Sequence, residues 1–161
     1  MRRRVFLLVL LAVVVADQAS KLLVLRGLPQ NASLALLDGF FQLVHVRNTG
    51  AAFGLLAGFS RATSTLLFTV AYGVAVLVFV HLYRRGGEQA ITAVSLALML
   101  GGATGNMVDR LLYGEVIDFL DVSIGRYHWP AFNLGDSCLV VGVALYALGY
   151  RAGEGRTGAD G

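Results

Sequence analysis

The chain has 161 residues, of which 57% are hydrophobic and 14% are charged, and its mean hydropathy is +0.70. This composition excludes a soluble domain with one buried core and indicates a polytopic membrane protein the size of one compact bundle. The net charge of +3 does not indicate nucleic-acid binding, because the arginines fall in small groups beside apolar segments and form no basic stripe. The single cysteine, Cys138, excludes an internal disulfide.

Four apolar stretches are long enough to cross a bilayer, which requires about 20 helical residues. They predict membrane spans at residues 5–25, 62–83, 90–108 and 131–150. The first stretch also resembles a cleaved signal peptide, but it continues after Lys21 and is long enough to remain as a span. We therefore expect one membrane-embedded domain over residues 1–150 and a polar, Gly-rich, disordered tail at residues 151–161.

Lysine and arginine are unequally distributed between the two sides of these spans. The side of the chain termini has seven arginines, namely Arg2, Arg3, Arg4, Arg84, Arg85, Arg151 and Arg156. The opposite segments have four, namely Arg26, Arg47, Arg61 and Arg126. The positive-inside rule therefore predicts that both termini are cytoplasmic and that segments 26–60 and 109–130 are extracytoplasmic.

The two outer segments show patterns of local structure. Phe40 to Val46 is rich in aromatic and β-branched residues, which favours short strands. Tyr127 to Trp129 precedes Pro130, which is typical of an interfacial aromatic anchor followed by a helix start. We predict an all-α integral membrane protein, a four-transmembrane-helix bundle, with a small extracytoplasmic β-sheet.

Two groups of polar residues precede the third span. Asp17 and Lys21 are four residues apart and share a helix face, either as an ion pair that organises a site or as a pair that only neutralises two charges. Asn48, Gly50 and the residues up to Gly54 form a polar turn in which Asn48 can donate and accept hydrogen bonds. An ordinary loop is the alternative for this turn.

The third span ends in small residues followed by polar ones. Gly101 to Gly105 are expected to let helices pack closely. Asn106 and Arg110 lie at positions i and i+4, so both point to one side, where they can hold a peptide backbone or a headgroup. Alternatively, Arg110 caps carbonyls at the helix end or pairs with Asp109.

Asp118 and Asp136 are the sharpest candidates for catalysis. Asp118 follows the third span and Asp136 lies in the first turns of the fourth, and consecutive antiparallel helices are expected to bring these ends together. Two carboxyl groups held close in a poorly solvated place share a proton, so one pKa rises. Aspartic proteases use this arrangement to activate water and polarise the scissile carbonyl. The alternative is that both aspartates cap helix ends.

Other chemistries find less support in the sequence. His45, His81 and His128 are scattered, so no metal or thiol site is expected, and a serine nucleophile lacks a placed base. A small transporter or proton-relay bundle using Asp118 and Asp136 is the main alternative, although a relay predicts acids through the depth of the bilayer. An assembly or chaperone subunit that binds partner helices is a third hypothesis.

Five segments together resemble the lipoprotein signal peptidases, also called signal peptidase II. They are Asp17–Lys21, Asn48–Gly54, Gly101–Arg110, Val116–Asp121 and Phe132–Ser137, in order at the ends of the four spans. The family consists of bacterial integral membrane aspartic endopeptidases. They remove the signal peptide from prolipoproteins, cutting just before the diacylglyceryl-modified cysteine. Ser20, Thr104 and Gly135 depart from the commoner residues of the family, and Gly135 replaces the usual alanine.

The resemblance implies roles for individual residues. Asp118 and Asp136 are expected to be the catalytic pair, without any cofactor or metal. Asp17, Lys21 and Asp109 are expected to support the site, and part of segment 26–60 is expected to form a small sheet and a lid over it. The expected substrate-binding residues are Asn48, Gly50, Asn106, Arg110 and Asn133. The expected partners are lipid-modified prolipoproteins and membrane lipids, with a monomer sufficient and no nucleic acid.

Overall fold

The structure is a computed structural model that describes residues 2–50, 58–86 and 89–157. Its helices are α1 (Arg2–Gly27), α2 (Arg61–Gly86), α3 (Ala90–Tyr113) and α4 (Leu134–Thr157). Its strands are β1 (Ser33–Leu37), β2 (Phe41–Asn48), β3 (Val116–Ile124) and β4 (Tyr127–His128). The protein is thus mostly helical, with a small sheet at the end of the bundle where α1 and α3 end and α2 and α4 begin.

Helix α3 is the centre of the bundle and packs against α1, α2 and α4. The predicted close packing at its small residues is confirmed. Added side-chain carbons at Gly102 and Gly105 would overlap the backbone oxygen of Gly135 and the carboxylate of Asp17, respectively. The polar end of α3 is therefore held directly against α1 and the start of α4.

The outward surfaces of the helices are apolar. Leu66, Val70, Val74 and Leu77 of α2 are all more than half exposed, an arrangement suited to contact with lipid. Among the described residues, α1, α2 and α3 are each long and apolar enough to cross a membrane. The apolar part of α4 within the described residues, Leu134–Gly149, is shorter than these three helices.

All neighbouring strands of the sheet are antiparallel, in the order β1–β2–β3–β4. The expected strand at Phe40 to Val46 is confirmed from Phe41 onward as part of β2, while Phe40 lies in the turn before it. No strand is predicted in segment 109–130, but β3 lies there, pairs with β2 and unites both outer segments in one sheet. Strand β3 is largely buried and carries apolar residues on both faces, so its sequence lacks the alternation that identifies a strand.

The third span is longer than predicted. Helix α3 continues past residue 108 to Tyr113 and ends at Gly114, which has a φ of 72° and donates its backbone N–H to the carbonyl of Arg110 at 2.9 Å. This left-handed cap turns the chain directly into β3. Asp118 therefore lies on a strand, and the expectation that two helix ends bring the aspartates together is wrong in this respect.

The boundaries of the fourth helix also differ from the prediction. It begins at Leu134 rather than 131, because Asn133 occupies the capping position. It continues to Thr157, so the stretch predicted as a disordered tail begins as helix. Residues 151–157 contain no proline, and the helical backbone hydrogen bonds continue through them. Residues 158–161 lie outside the described part of the chain.

Candidate active site

Asp118 is held on the inner face of β3 and is only 2% exposed. Its Oδ2 accepts a hydrogen bond from Asn48 Nδ2 at 3.0 Å, and its Oδ1 accepts one from Asn133 Nδ2 at 2.8 Å. Val46 is the partner of Asp118 in the ladder, so Asn48 is its diagonal neighbour on the same face of the sheet. Strand pairing therefore places an amide donor on this carboxylate.

Asp136 is held in the first turn of α4 by reciprocal bonds with Asn133. Asn133 Oδ1 accepts the backbone N–H of Asp136 at 2.9 Å, while Asp136 Oδ2 accepts the backbone N–H of Asn133 at 3.2 Å. This is a capping box, so Asp136 caps the start of α4, as the alternative to catalysis predicts. Its Oδ1 also accepts Asn106 Nδ2 at 2.8 Å, which ties it to α3.

Asn133 connects the two carboxyl groups. It is fully buried, and its Nδ2 donates to Asp118 Oδ1 and to Asn106 Oδ1, at 2.8 Å and 3.0 Å. Because its Oδ1 accepts from Asp136, the orientation of the amide is fixed at both ends. Asn106 and Asn133, both expected to bind substrate, thus contact the aspartates directly. Asp118 and Asp136 both hydrogen-bond to Asn133, which brings the two carboxyl groups to one buried side chain.

A buried ion cluster lies behind this pair. Lys21 Nζ bonds Asp17 Oδ2 at 2.8 Å, Asp109 Oδ2 at 2.9 Å and Asn106 Oδ1 at 2.9 Å, which satisfies all three of its hydrogens. Asp17, Lys21 and Asp109 are each at most 1% exposed. The pair predicted from helical spacing therefore exists, but with a third member from α3 and away from the solvent.

The carboxylates of this cluster also bind the backbone of the elements that carry the candidate catalytic residues. Asp17 Oδ1 accepts the N–H of Gly135 at 2.8 Å, directly before Asp136. Asp109 Oδ2 accepts the N–H of Ile117 at 3.1 Å, directly before Asp118. One buried ion cluster thus fixes the backbone beside both aspartates.

Burial perturbs the proton affinity of Asp118. Desolvation raises the pKa of Asp118 to about 6 from an ordinary value of 3.8, and the charge of Asp136 adds to the rise. The hydrogen bonds from Asn48 and Asn133 and the charge of Lys21 act in the opposite direction. A carboxyl group that titrates near neutral pH can exchange a proton with a substrate, whereas an ordinary aspartate is fully ionised there.

A cavity of about 320 Å³ lies between α2, α3 and α4 and is open at one side. Asp136, Asn106 and Arg110 line its polar part, and Phe68, Ala71, Tyr72, Ala75, Ala103, Met107 and Leu139 also line it. The guanidinium of Arg110 lies 3.7 Å from the ring centre of Phe68 and donates to the Asn106 carbonyl at 3.3 Å. Arg110 therefore follows the carbonyl-capping alternative, while Asp109 pairs with Lys21.

The remaining candidates are placed around this centre. Gly50 is buried, and its N–H donates to Asn48 Oδ1 at 3.1 Å, so the polar turn orients Asn48. The rest of that turn, residues 51–54, lies outside the described residues. Asp121, which is close to Asp118 in sequence, has its carboxylate 3.6 Å from Nδ1 of His128 and is separate from the Asn133 network.

Sequence reasoning missed several residues that contact the site. Gln18 donates to Asp109 Oδ1 at 2.8 Å, and only its position beside Asp17 hinted at this role. Phe68 of α2 stacks against the guanidinium of Arg110. Its neighbours in the sequence are apolar and do not predict this contact. Glu115 does not contact this network; it is buried at the turn between α3 and β3 and forms an ion pair with Arg61. The sequence does not identify Arg61 as its partner.

Comparison with known proteins gives consistent matches over nearly the whole chain. Residues 9–150 match the sequence profile of a family described as signal peptidase (SPase) II. Proteins named lipoprotein signal peptidase are similar to this chain. The protein of Geobacter sulfurreducens is 46% identical over 147 residues, covering 90% of each chain. That of Syntrophus aciditrophicus is 45% identical over 144 residues, covering 89% of each.

The identity is higher over a shorter stretch for Burkholderia vietnamiensis, whose lipoprotein signal peptidase is 50% identical over 139 residues, or 84% of this chain and 80% of that protein. Solved structures share the fold. One bacterial membrane enzyme superposes with a TM-score of 0.82 at 29% identity, covering 92% of this chain and 88% of that one. Another gives a TM-score of 0.79, also at 29% identity, with 91% and 92% covered.

Proposed function

The chain belongs to the signal peptidase II family, whose members are aspartic-type membrane peptidases, and we propose that it cleaves prolipoproteins with Asp118 and Asp136 as its catalytic pair. The observation that carries this proposal is the convergence of both carboxyl groups on the buried amide of Asn133, with the pKa of Asp118 raised by burial. A lone helix cap or structural ion pair does not require either feature.

The chemistry follows from the unequal surroundings of the two groups. Asp118, with its raised pKa, carries the shared proton and donates it toward the scissile carbonyl oxygen. Asp136, at the edge of the cavity, is the base that takes a proton from water as the water oxygen attacks the carbonyl carbon. The tetrahedral intermediate then collapses and the carbon–nitrogen bond breaks. The leaving amine takes the proton that Asp136 removed from water, and the hydroxyl on the carbonyl carbon returns its proton to Asp118.

The substrate is a prolipoprotein whose cysteine carries a diacylglyceryl group, and the cut falls just before that cysteine. The cavity supports this assignment, because it has apolar walls for lipid or side chains and Arg110 and Asn106 at its polar part for peptide carbonyls. Asn48 is a further candidate for contact with the peptide through a hydrogen bond beyond the one it makes with Asp118. Asn133 is fully buried and both hydrogens of its amide are bonded to Asp118 and Asn106, so it holds the carboxyl groups in place rather than the peptide.

The membrane arrangement that we propose has four spans, with α4 as the fourth, and both termini in the cytoplasm. The excess of arginines on the side of the termini supports it. The aspartates then lie near the extracytoplasmic face, at the depth of a lipid-anchored scissile bond. A monomer is sufficient, because one chain supplies both carboxyl groups and their hydrogen-bond partners.

The test is a gel-shift assay that follows release of the signal peptide from a diacylated prolipoprotein. Asp118→Asn and Asp136→Asn should each lower the rate by a factor on the order of 10³ or more, because each removes a group that transfers a proton. Asp121→Asn is the matched control, since this residue lies on the same strand but outside the network, and it should retain activity.

Thermal unfolding in detergent must show that all three variants are folded. Substantial cleavage by a folded Asp118→Asn or Asp136→Asn protein would reject the proposed catalytic pair. It would also favour the proton-relay or partner-binding alternatives, which do not need both groups for hydrolysis.

A further inference from the structure

Strand β2 contains one extra residue next to the candidate active site. Leu43 pairs with Leu120 of β3, but the next aligned pair is Val46 with Asp118. Two residues of β2, Val44 and His45, therefore lie opposite the single residue Phe119. This is a β-bulge, a feature that changes the direction of the side chains beyond it.

The bulge determines which side chain of β2 faces Asp118. Side chains alternate between the two faces of a sheet, so a shift of one residue exchanges the faces. With regular pairing from Leu43 onward, Arg47 would share the face of Asp118. With the bulge, Asn48 shares that face instead, and its Nδ2 reaches Asp118 Oδ2 at 3.0 Å.

His45, the second residue of the bulge, is fixed by bonds to the connection between α1 and β1. The residue is 3% exposed, and its Nδ1 lies 2.8 Å from the carbonyl oxygen of Leu28. Because a carbonyl can only accept, Nδ1 carries the hydrogen of this bond. The backbone of His45 accepts from Asn31 N–H at 2.9 Å and donates to Ala32 at 3.2 Å.

We infer that His45 is a positioning residue: its side-chain bond to the Leu28 carbonyl holds the bulge that turns Asn48 onto Asp118. This inference rests on the proposed function, in which Asp118 carries the shared proton. His45 contacts neither aspartate, so it acts through Asn48. Its ring Nε2 has no hydrogen-bond partner within the described ranges, which leaves the Nδ1 bond as the polar contact that its side chain makes.

Two variants separate the Nδ1 bond from the other properties of the ring. His45→Asn places an amide N–H near the position of Nδ1 and can keep the bond to Leu28, whereas His45→Leu fills space without a donor. Neither replacement titrates, so a difference between their pH profiles does not arise from residue 45. Asp136, Lys21 and Arg110 are the charged groups that act on Asp118, and they are unchanged in both.

Cleavage of a diacylated prolipoprotein by both variants should be measured across pH. His45→Leu should lower kcat by about tenfold, because small displacements of a catalytic group are costly, while His45→Asn should retain most of the activity. Loss of the Asn48 bond, which stabilises the carboxylate, raises the pKa of Asp118. The alkaline limb of the profile should therefore move to higher pH in His45→Leu, as it should in Asn48→Ala.

The double variant His45→Leu/Asn48→Ala tests whether His45 acts through Asn48. It should show the same alkaline limb as Asn48→Ala alone, because the contact has already been removed. Additive shifts, or equal profiles for His45→Leu and His45→Asn, would overturn the inference. An NMR titration of the labelled Asp118 carboxyl carbon compares the pKa of Asp118 in the same variants without measuring catalysis. A failure of this inference can therefore be told apart from a failure of the proposed catalytic pair.

Discussion

Two sets of carboxyl groups belong to one hydrogen-bonded network but are neutralised differently. Asp17 and Asp109 share the ammonium of Lys21, at 2.8 Å and 2.9 Å. In the described part of the chain, every hydrogen bond to Asp118 and Asp136 comes from an amide. The first set is held by a full opposite charge and the second by dipoles only.

Under the proposed function, this difference separates the supporting carboxylates from the catalytic ones. A buried carboxylate with a bonded ammonium is fixed in place and costly to disturb. A carboxyl group with only amide partners keeps a proton affinity that burial can raise, as it does for Asp118. Asn106 joins the two sets, since its Oδ1 accepts from Lys21 and its Nδ2 donates to Asp136. The ion cluster therefore orients an amide of the candidate active site without placing its charge in contact with the proposed catalytic pair.

Lys21→Met tests whether the ammonium holds Asp17 and Asp109, and it should have the largest effect. It leaves Asp17 and Asp109 buried without a counter-charge, so we expect a loss of about 3–5 kcal/mol in the free energy of unfolding. Thermal unfolding in detergent measures it. Arg26→Met is the control, because Arg26 is an exposed cation farther along the same helix. Equal unfolding temperatures for the two variants would mean that charge does not hold the cluster.

The pH dependence of stability tests the second set of carboxyl groups, through Asp118. The folded-state pKa of Asp118, raised by burial to about 6, lies above its ordinary value of 3.8. The protonated form is therefore favoured by folding, and its stabilisation is complete below pH 3.8 and lost as the pH rises through about 6. At about 1.4 kcal/mol per pKa unit, this loss is about 3 kcal/mol.

Asp118→Asn cannot titrate in this range and provides the reference for that measurement. The unfolding temperature of the wild type should fall relative to that of Asp118→Asn between about pH 4 and pH 7. The other carboxyl groups titrate in both proteins, so the difference isolates Asp118. Parallel stability curves would mean that burial does not raise the pKa of this group.

Local patterns in the sequence were sufficient for some of these features. Helical spacing predicted the Asp17–Lys21 pair, because residues four apart share a face. The elements of the capping box are also visible in the sequence, since Asn133 stands three residues before Asp136 and soon after Pro130. Features of this kind depend on neighbours in the chain.

The remaining features depend on contacts between distant segments. Asp109 joins Lys21 across 88 positions in the chain, and no spacing rule identifies such a partner. The strand position of Asp118 and the bulge at His45 follow from the pairing of β2 with β3. Register is decided by the two strands together, so a pattern in either strand alone does not define which side chain faces Asp118.

Gly135 lies between the two sets of carboxyl groups and gives the smallest of the expected effects. Alanine is usually favoured over glycine within a helix by about 1 kcal/mol. At Gly135, however, the added methyl carbon would stand 2.9 Å from the backbone oxygen of Gly102 and 3.1 Å from both Asp17 Oδ1 and Asn133 Oδ1. A backbone oxygen cannot rotate away, so the start of α4 must shift.

We therefore expect Gly135→Ala to lower the unfolding temperature slightly and the cleavage rate by about threefold to tenfold, because the shift displaces Asn133 and Asp136 together. Gly73→Ala is the matched control: it lies within α2 with no atom within 4 Å of the added carbon, and it should be neutral or stabilising. If Gly135→Ala matches this control in both measurements, the start of α4 can move without disturbing the aspartates. The ion cluster of Asp17, Lys21 and Asp109 would then be less tightly coupled to the proposed catalytic pair than their shared hydrogen bonds indicate.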